Sequence, residues 1–203
     1  GALLAVQRGA RLSMYVSATF AFQSGGRLDS RGSAAAPVVF TADTTFPWGG
    51  LQFTGTPTDS SYLYHTRIEY ASSASGNYYA AVVALEQHPV VIDSGSVIRQ
   101  SASGLYFASA GSRIRASSVD TTTNATKPAV LLGGATKLES TVVRKSAYTG
   151  VLIDGSGARI ASGRIEASTG VGLSVPSQYT LGAPSSVRVT GGATYPAQLT
   201  LPS

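Results

Sequence analysis

For carboxylate, imidazole or thiolate chemistry this chain offers ten carboxylates, two histidines and no cysteine. Cleaving a polysaccharide takes two or three carboxylates converging on one bond, or clustered Asp ligands around Ca²⁺ with a base beside them. No Asp-x-Asp, Asp-Asp or calcium-loop pattern occurs. Asp29, Asp43 and Asp59 lie near Gly, Ser, Thr or Pro, where Asp commonly closes a turn through its own carboxylate. His65 and His88 are distant in sequence; His65 could meet Glu69 or Asp93, an arrangement that serves acid–base work or a plain polar contact. No Gly-x-Ser-x-Gly elbow is accompanied by a plausible His and acid. Without Cys, disulfides and thiolate metal sites are excluded. The residues imply no catalytic set, no metal and no cofactor.

Six charges fall at one phase of a longer pattern. Ile68, Ile98, Val119, Val143, Ile165 and Val187 recur at near-regular spacing, and after them stand Glu69, Arg99, Asp120, Arg144, Glu166 and Arg188 in turn. The signs alternate throughout. If each apolar residue points inward on a strand, its neighbour points outward, and the six form a ladder of opposite charges. Exposed pairs contribute about 0.2–1 kcal/mol each and help fix register, so this ladder is read as structural. Another column takes Leu63, Val91, Ile114, Leu138, Ile160 and Leu181 as inward residues. Before three of them stand Arg113, Lys137 and Arg159, cations on consecutive repeats. Like charges at strand spacing repel. An acidic polysaccharide would relieve the stripe; otherwise the side chains splay into water beside Glu139.

Aromatic residues give a second binding signal. Tyr62, Tyr64, Tyr70, Tyr78 and Tyr79 lie in one short stretch, with Tyr106 a repeat further on and Trp48 upstream. Exposed tyrosines stack on sugar rings while their hydroxyls bond to ligand or water. Tyr62 and Tyr64 could equally form an aromatic ladder that stiffens the surface. The candidate ligand set is Tyr62, Tyr64, Tyr106, Arg113, Lys137 and Arg159. Leu131 and Leu152, flanked by Tyr106, suggest an outward apolar strip that is covered by another segment or used for lateral association.

These residues need a scaffold that brings equivalent positions into rows. From about Gly50 onward the chain repeats roughly every 22 residues. Each unit opens with an apolar segment: Leu51-Gln52-Phe53, Val82-Val83-Ala84-Leu85, Leu105-Tyr106-Phe107, Val130-Leu131-Leu132, Val151-Leu152-Ile153 and Val171-Gly172-Leu173. The Ile68 series follows roughly 15 residues later in each unit. No window holds a 3.6-residue apolar period, so the chain is predicted to be all-β, with no helix beyond a short N-terminal cap. Short repeats of this kind bury their apolar faces only against one another, which predicts a solenoid. Hydrophobic content of 43% suffices for a continuous core. The net charge of +5 is spread thinly, with no Lys/Arg run, which argues against a nucleic-acid partner. No apolar stretch approaches the ~20 residues of a membrane span.

Three motifs follow in order: Ala36-Pro37-Val38-Val39-Phe40-Thr41, Trp48-Gly49-Gly50-Leu51-Gln52-Phe53, and Leu63-Tyr64-His65-Thr66-Arg67-Ile68-Glu69-Tyr70-Ala71. Together they resemble the secreted bacterial right-handed parallel β-helix repeat proteins, the broad group that includes pectate-lyase-like folds. The resemblance covers nearly the whole chain, and its motifs are architectural. It implies a three-sided prism with a flat sheet on each side, and an exported protein, extracellular or at the cell surface. Enzymes on that fold use clustered or paired Asp residues, the pattern missing here. The expectation is one right-handed parallel β-helix over residues 1–203, part of a longer chain, with coils of about 22 residues. Lead-in coils occupy 1–45 and regular coils 46–203. The expected role is a non-enzymatic structural or adhesive module that binds polysaccharide or neighbouring subunits. A β-helix lyase or hydrolase is the alternative, and a fibre-type receptor-binding shaft a third reading. Apolar ends at Leu3-Leu4-Ala5-Val6 and Ala197-Gln198-Leu199-Thr200-Leu201-Pro202 invite end-to-end association.

Overall fold

A short strand rich in Val, Ile and Leu gains little by itself; it needs a neighbour on each edge and a packed face beneath. The computed structural model describes residues 1–43, 46–72, 79–166, 168–176, 182–185 and 187–190. Among these residues there is no helix. A strand already begins at Leu3, where a helical cap was expected, because Leu3–Gln7 pairs in parallel with Arg27–Arg31. Every strand pairs in parallel with its equivalent one coil away, giving a β-solenoid of about seven turns spaced by about 24 residues.

Three sheets form the walls. The first holds Leu3–Gln7, Arg27–Arg31, Ser61–Tyr64, Val90–Asp93, Arg113–Arg115, Lys137–Glu139, Arg159–Ala161 and Gly182–Ser185. The second holds Arg11–Met14, Val38–Ala42, Thr66–Glu69, Val97–Ser101, Ser118–Thr122, Val142–Ser146, Arg164–Glu166 and Arg188–Thr190. The third holds Thr19–Phe22, Gly50–Phe53, Ala80–Ala84, Ser103–Phe107, Val130–Leu132, Val151–Ile153 and Leu173–Ser174. Coils are numbered from the N-terminus, one strand of each sheet per coil. The spacing is even only in later coils: Val91 stands opposite Arg113, Arg113 opposite Lys137 and Lys137 opposite Arg159, steps of 22, 24 and 22 residues. Earlier, Asp29 stands opposite Tyr62 and Tyr62 opposite Val91, steps of 33 and 29. The extra residues lie in connections, so the strands stay in line.

Inward side chains form continuous columns. In the second sheet Phe40, Ile68, Ile98, Val119, Val143 and Ile165 stack coil on coil, each at most 1% exposed. In the third, Phe22 lies on Phe53 with ring centroids 4.9 Å apart and planes 9° from parallel, and Ala84, Phe107, Leu132 and Ile153 continue the line. Trp48 is fully buried against Phe40, and its indole N–H donates to the Glu69 carbonyl at 2.8 Å. The Trp-Gly-Gly turn therefore inserts a core residue between the second and third sheets.

Three apolar assignments need correction. Ile92, not Val91, stands between Leu63 and Ile114 in the first-sheet column; Val91 faces outward between Tyr62 and Arg113. Leu173, not Val171, stacks on Val151, and Val189, not Val187, stacks on Ile165. The last two are slips of two residues, which preserve the in–out alternation and so leave no trace in the hydrophobic pattern. Tyr78, Leu181 and the Ala197–Pro202 segment lie outside the described residues.

Adjacent leucines test this register. Leu132 is fully buried whereas Leu131 faces outward and is half-buried. Leu132→Ala is expected to lose about 2–5 kcal/mol and Leu131→Ala less than about 1 kcal/mol. Chemical denaturation of the two variants reads the difference, and equal losses would overturn the assignment of inner and outer faces.

Candidate functional site

Strand alternation places two outward columns on the first sheet. One runs Asp29, Tyr62, Val91, Arg113, Lys137, Arg159. The other runs Arg31, Tyr64, Asp93, Arg115, Glu139, Ala161: register links Arg31 to Tyr64, Tyr64 to Asp93, Arg115 to Glu139 and Glu139 to Ala161, and an ion pair joins Asp93 to Arg115. Five of the six candidate ligand residues thus share one face. Tyr106 does not: it lies on the third sheet between Val83 and Leu131, in a row continued by Leu152.

The upper part of the first face is closed by its own contacts. The Tyr62 and Tyr64 rings stack 5.9 Å apart with planes 8° from parallel. The Arg31 guanidinium lies 4.5 Å from the Tyr64 centroid and 5.6 Å from that of Tyr62, and Asp29 accepts from Arg31 at 2.6 Å. The Tyr62 hydroxyl donates to Asp59 at 3.0 Å, and partial burial together with that carboxylate pushes the phenol up from its ordinary pKa. Of the two readings of this aromatic pair, the geometry is that of a stiffening ladder capped by an arginine.

Below it the face becomes cationic. Arg113, Lys137 and Arg159 occupy successive coils, about 4.8 Å apart by parallel strand spacing. Arg115 is engaged, donating to Asp93 from Nε at 2.9 Å and from Nη2 at 2.5 Å. Asp93 is only 2% exposed; burial alone would raise its pKa, but the Arg115 guanidinium and the Ser94 N–H more than offset that and hold it below the usual carboxylate range. The Arg113 Nε is sheltered from solvent and has no hydrogen-bond partner among the described residues. Residues 1–112 balance six basic against six acidic groups, whereas 113–203 hold nine against four, so the whole net charge of +5 lies in the lower coils.

The charge ladder occupies the second sheet. Glu69, Arg99, Asp120, Arg144 and Glu166 stand on successive coils in one outward row. Arg188 does not join them. It stands opposite Arg164 in the adjacent row, and Thr190 stands opposite Glu166, the consequence of the two-residue slip at Val189. Glu69 is outward-pointing yet only 5% exposed, covered by Arg99 with Nη2 at 2.6 Å and flanked by Arg67 at 3.6 Å. Arg144 binds Asp120 at 2.8 Å, while Glu166 pairs with Arg164 of its own strand. Burial tends to raise the Asp120 pKa, but Arg144 and the Thr121 hydroxyl hold it low.

The carboxylates are distributed, not convergent. Asp93 and Glu139 lie on the first sheet with Arg115 between them, and Asp120 lies on the second. Among the described residues no three His, Asp or Glu side chains come together in a way that could hold a metal ion. His65 lines a small cavity of about 60 Å³ with Ser33, Pro37, Arg67 and Gly95. His88 is fully buried beside Phe53, its ring nitrogens 2.9 Å from the Ser61 hydroxyl and 3.1 Å from the Thr54 carbonyl. Because a carbonyl can only accept, Nδ1 carries the proton and Nε2 accepts from Ser61. The Ser61 oxygen in turn accepts the Leu28 N–H at 3.0 Å, so the group ties three coils together. It is a Ser–His contact built into the wall. Nothing in the residues around His88 marks it as internal, since the clue is a column position spread over three coils.

Comparison with family models, with curated proteins and with solved structures returns no match. Among the described residues no helix is long and apolar enough to cross a membrane.

Burial lowers the His88 pKa below its ordinary 6.5, despite the opposing Thr54 carbonyl. In the window between the two values the unfolded chain binds more protons, so this histidine stabilises fully above pH 6.5 and loses that contribution as pH falls toward the folded value. Melting temperature is expected to drop through this range and to drop less in His88→Gln, measured by circular dichroism at stepped pH. Parallel curves for the two proteins would exclude His88 as the source.

Proposed function

We propose that this chain is a non-enzymatic adhesive module, a rigid β-solenoid rod whose first sheet holds an acidic polysaccharide along the solenoid axis. The observation that carries the reading is the column Arg113, Lys137, Arg159, none of which forms a salt bridge among the described residues. Three like charges one strand apart repel each other, and a polyanion laid along them converts that repulsion into attraction. The pitch supports it, because a cation every ~4.8 Å is close to the length of one pyranose residue in an extended chain. Export to the outside of a bacterial cell, and kinship with secreted β-helix proteins of the pectate-lyase-like group, belong to the same reading. They rest on the Pro-Val-Val-Phe-Thr and Trp-Gly-Gly motifs and on the Cys-free composition. The alternative, a lyase or hydrolase, would draw on Asp93 and Glu139, which lie on either side of Arg115 and not across an open cleft.

Polygalacturonate immobilised on a biosensor tests this. Binding is expected at low salt, weakening steeply as salt rises. Replacing Arg113, Lys137 and Arg159 together by Gln is expected to lower affinity about tenfold or more, while Tyr106→Ala leaves it unchanged. No binding at low salt would refute the reading, and new unsaturated or reducing sugar ends would replace it with the enzyme.

A further inference from the structure

Five aromatic side chains are exposed among the described residues: Tyr15, Phe46, Tyr70, Tyr79 and Tyr148, between 40% and 74% accessible. All five lie in one place. Each sits in a connection from the second sheet to the third: Tyr15 in coil 1, Phe46 in coil 2, Tyr70 and Tyr79 in coil 3, Tyr148 in coil 6. Among the described residues the other two prism edges carry no exposed aromatic side chain.

The surroundings narrow the partner. By sequence these connections hold one acid, Asp43, and one base, Lys127, among many Ser, Thr, Ala and Gly. Lys127 is itself engaged, its ammonium 5.9 Å from the Tyr79 ring centroid. A surface of tyrosine rings and hydroxyls that is nearly without charge suits a neutral glycan, whose C–H faces stack on aromatic rings and whose hydroxyls exchange with Tyr, Ser and Thr. It suits a nucleic acid or a charged protein poorly. Coils 1 to 6 span about 24 Å along the axis at parallel strand spacing, room for several sugar residues.

Backbone strain adds an independent argument. Tyr70 and Tyr79 hold φ of 56° and 52°, a left-handed conformation that Gly or Asn adopts with little strain and a bulky aromatic residue does not. Corner geometry explains the conformation of Tyr70, since Gln100, Thr121 and Lys145 share it at the equivalent positions. It does not explain the choice of tyrosine.

We infer that this edge is a second recognition surface, which binds a neutral polysaccharide by stacking on Tyr15, Tyr70, Tyr79 and Tyr148. The inference does not rest on the cationic face.

Affinity gel electrophoresis of the full chain in gels containing laminarin, galactomannan or hydroxyethyl cellulose, run at high salt to silence the cations, is the test. At least one of these probes is expected to retard the protein. Tyr70→Asn and Tyr79→Asn remove the ring but suit the left-handed backbone, so folding survives; each is expected to weaken binding about tenfold, as is Tyr148→Ala. The triple Gln variant of Arg113, Lys137 and Arg159 is expected to bind as the parent does. Migration unaffected by all three probes, or retardation that the tyrosine variants leave unchanged, would overturn the proposal.

Discussion

Each coil of this molecule must leave the first sheet and enter the second within one to three residues from the third coil onward, and everything else depends on that corner. No helix or long loop is available to make the bend. One residue per coil takes a left-handed conformation instead: His65, Ser94, Ala116, Ser140 and Ser162 have φ between 44° and 57°, with Gly95 following Ser94. Such a residue costs of order 1 kcal/mol when it is not glycine. The next residue, or the next but one after Ser94, helps to offset it: Thr66, Ser96, Ser117 and Thr141 are buried and donate to a carbonyl two or three residues back, at 3.2, 2.7, 2.7 and 2.8 Å. The hydroxyl gives these carbonyls a donor within the bend, a second one at Tyr64 and Glu139, which also accept the N–H groups of Gly32 and Ala116 from the coil before. With the corner fixed, the alternation of the next strand is fixed too, and its apolar residues fall on those of the coil before.

That dependence explains what the sequence reveals. Apolar columns are legible because Ile68, Ile98, Val119, Val143 and Ile165 are each followed, three residues later, by Ala71, Ser101, Thr122, Ser146 and Ser168, all buried. The same three-residue offset joins Leu63 to Thr66, Ile114 to Ser117 and Leu138 to Thr141. Read together, the apolar residue and its small buried follower mark each of these corners, but at Ile92 the extra residue Gly95 puts the buried Ser96 four residues on. Val91 and Ile92 are interchangeable to a pattern that looks only at apolarity. The displaced Arg188 is harder, because two-residue slips conserve facing and only the pairing partner changes.

The ladder shows a different limit. Alternating sign along one row is visible in the chain, but burial is not. Glu69 is covered because Arg67 flanks it within its own strand and Arg99 lies across it from the next coil. A covered carboxylate held by two guanidinium groups resembles an interior ion pair, whereas Asp120 and Arg144 remain a surface pair of modest value. Glu166 turns to Arg164 instead of continuing the row. Opposite signs at one phase therefore predict neighbours without predicting which neighbour is chosen, since each outward side chain has partners both along its strand and across it.

Because the corners and inner columns hold the fold, the outward positions are free to differ from coil to coil, and they do so in an ordered way. The upper coils spend their charges on one another, with Arg27 on Asp59, Arg31 on Asp29 and Arg99 on Glu69. The lower coils carry the surplus cations on the first sheet. The exposed tyrosines lie along the edge where the second sheet meets the third, which in a three-sided solenoid is the edge across from the first sheet. A ligand on one therefore neither covers nor displaces a ligand on the other. The stacked columns between them leave no hinge through which one could bias the other. On the proposed reading the two surfaces bind independently, so one rod can join an acidic polymer to a neutral one, and its strength as a link is set by the weaker contact.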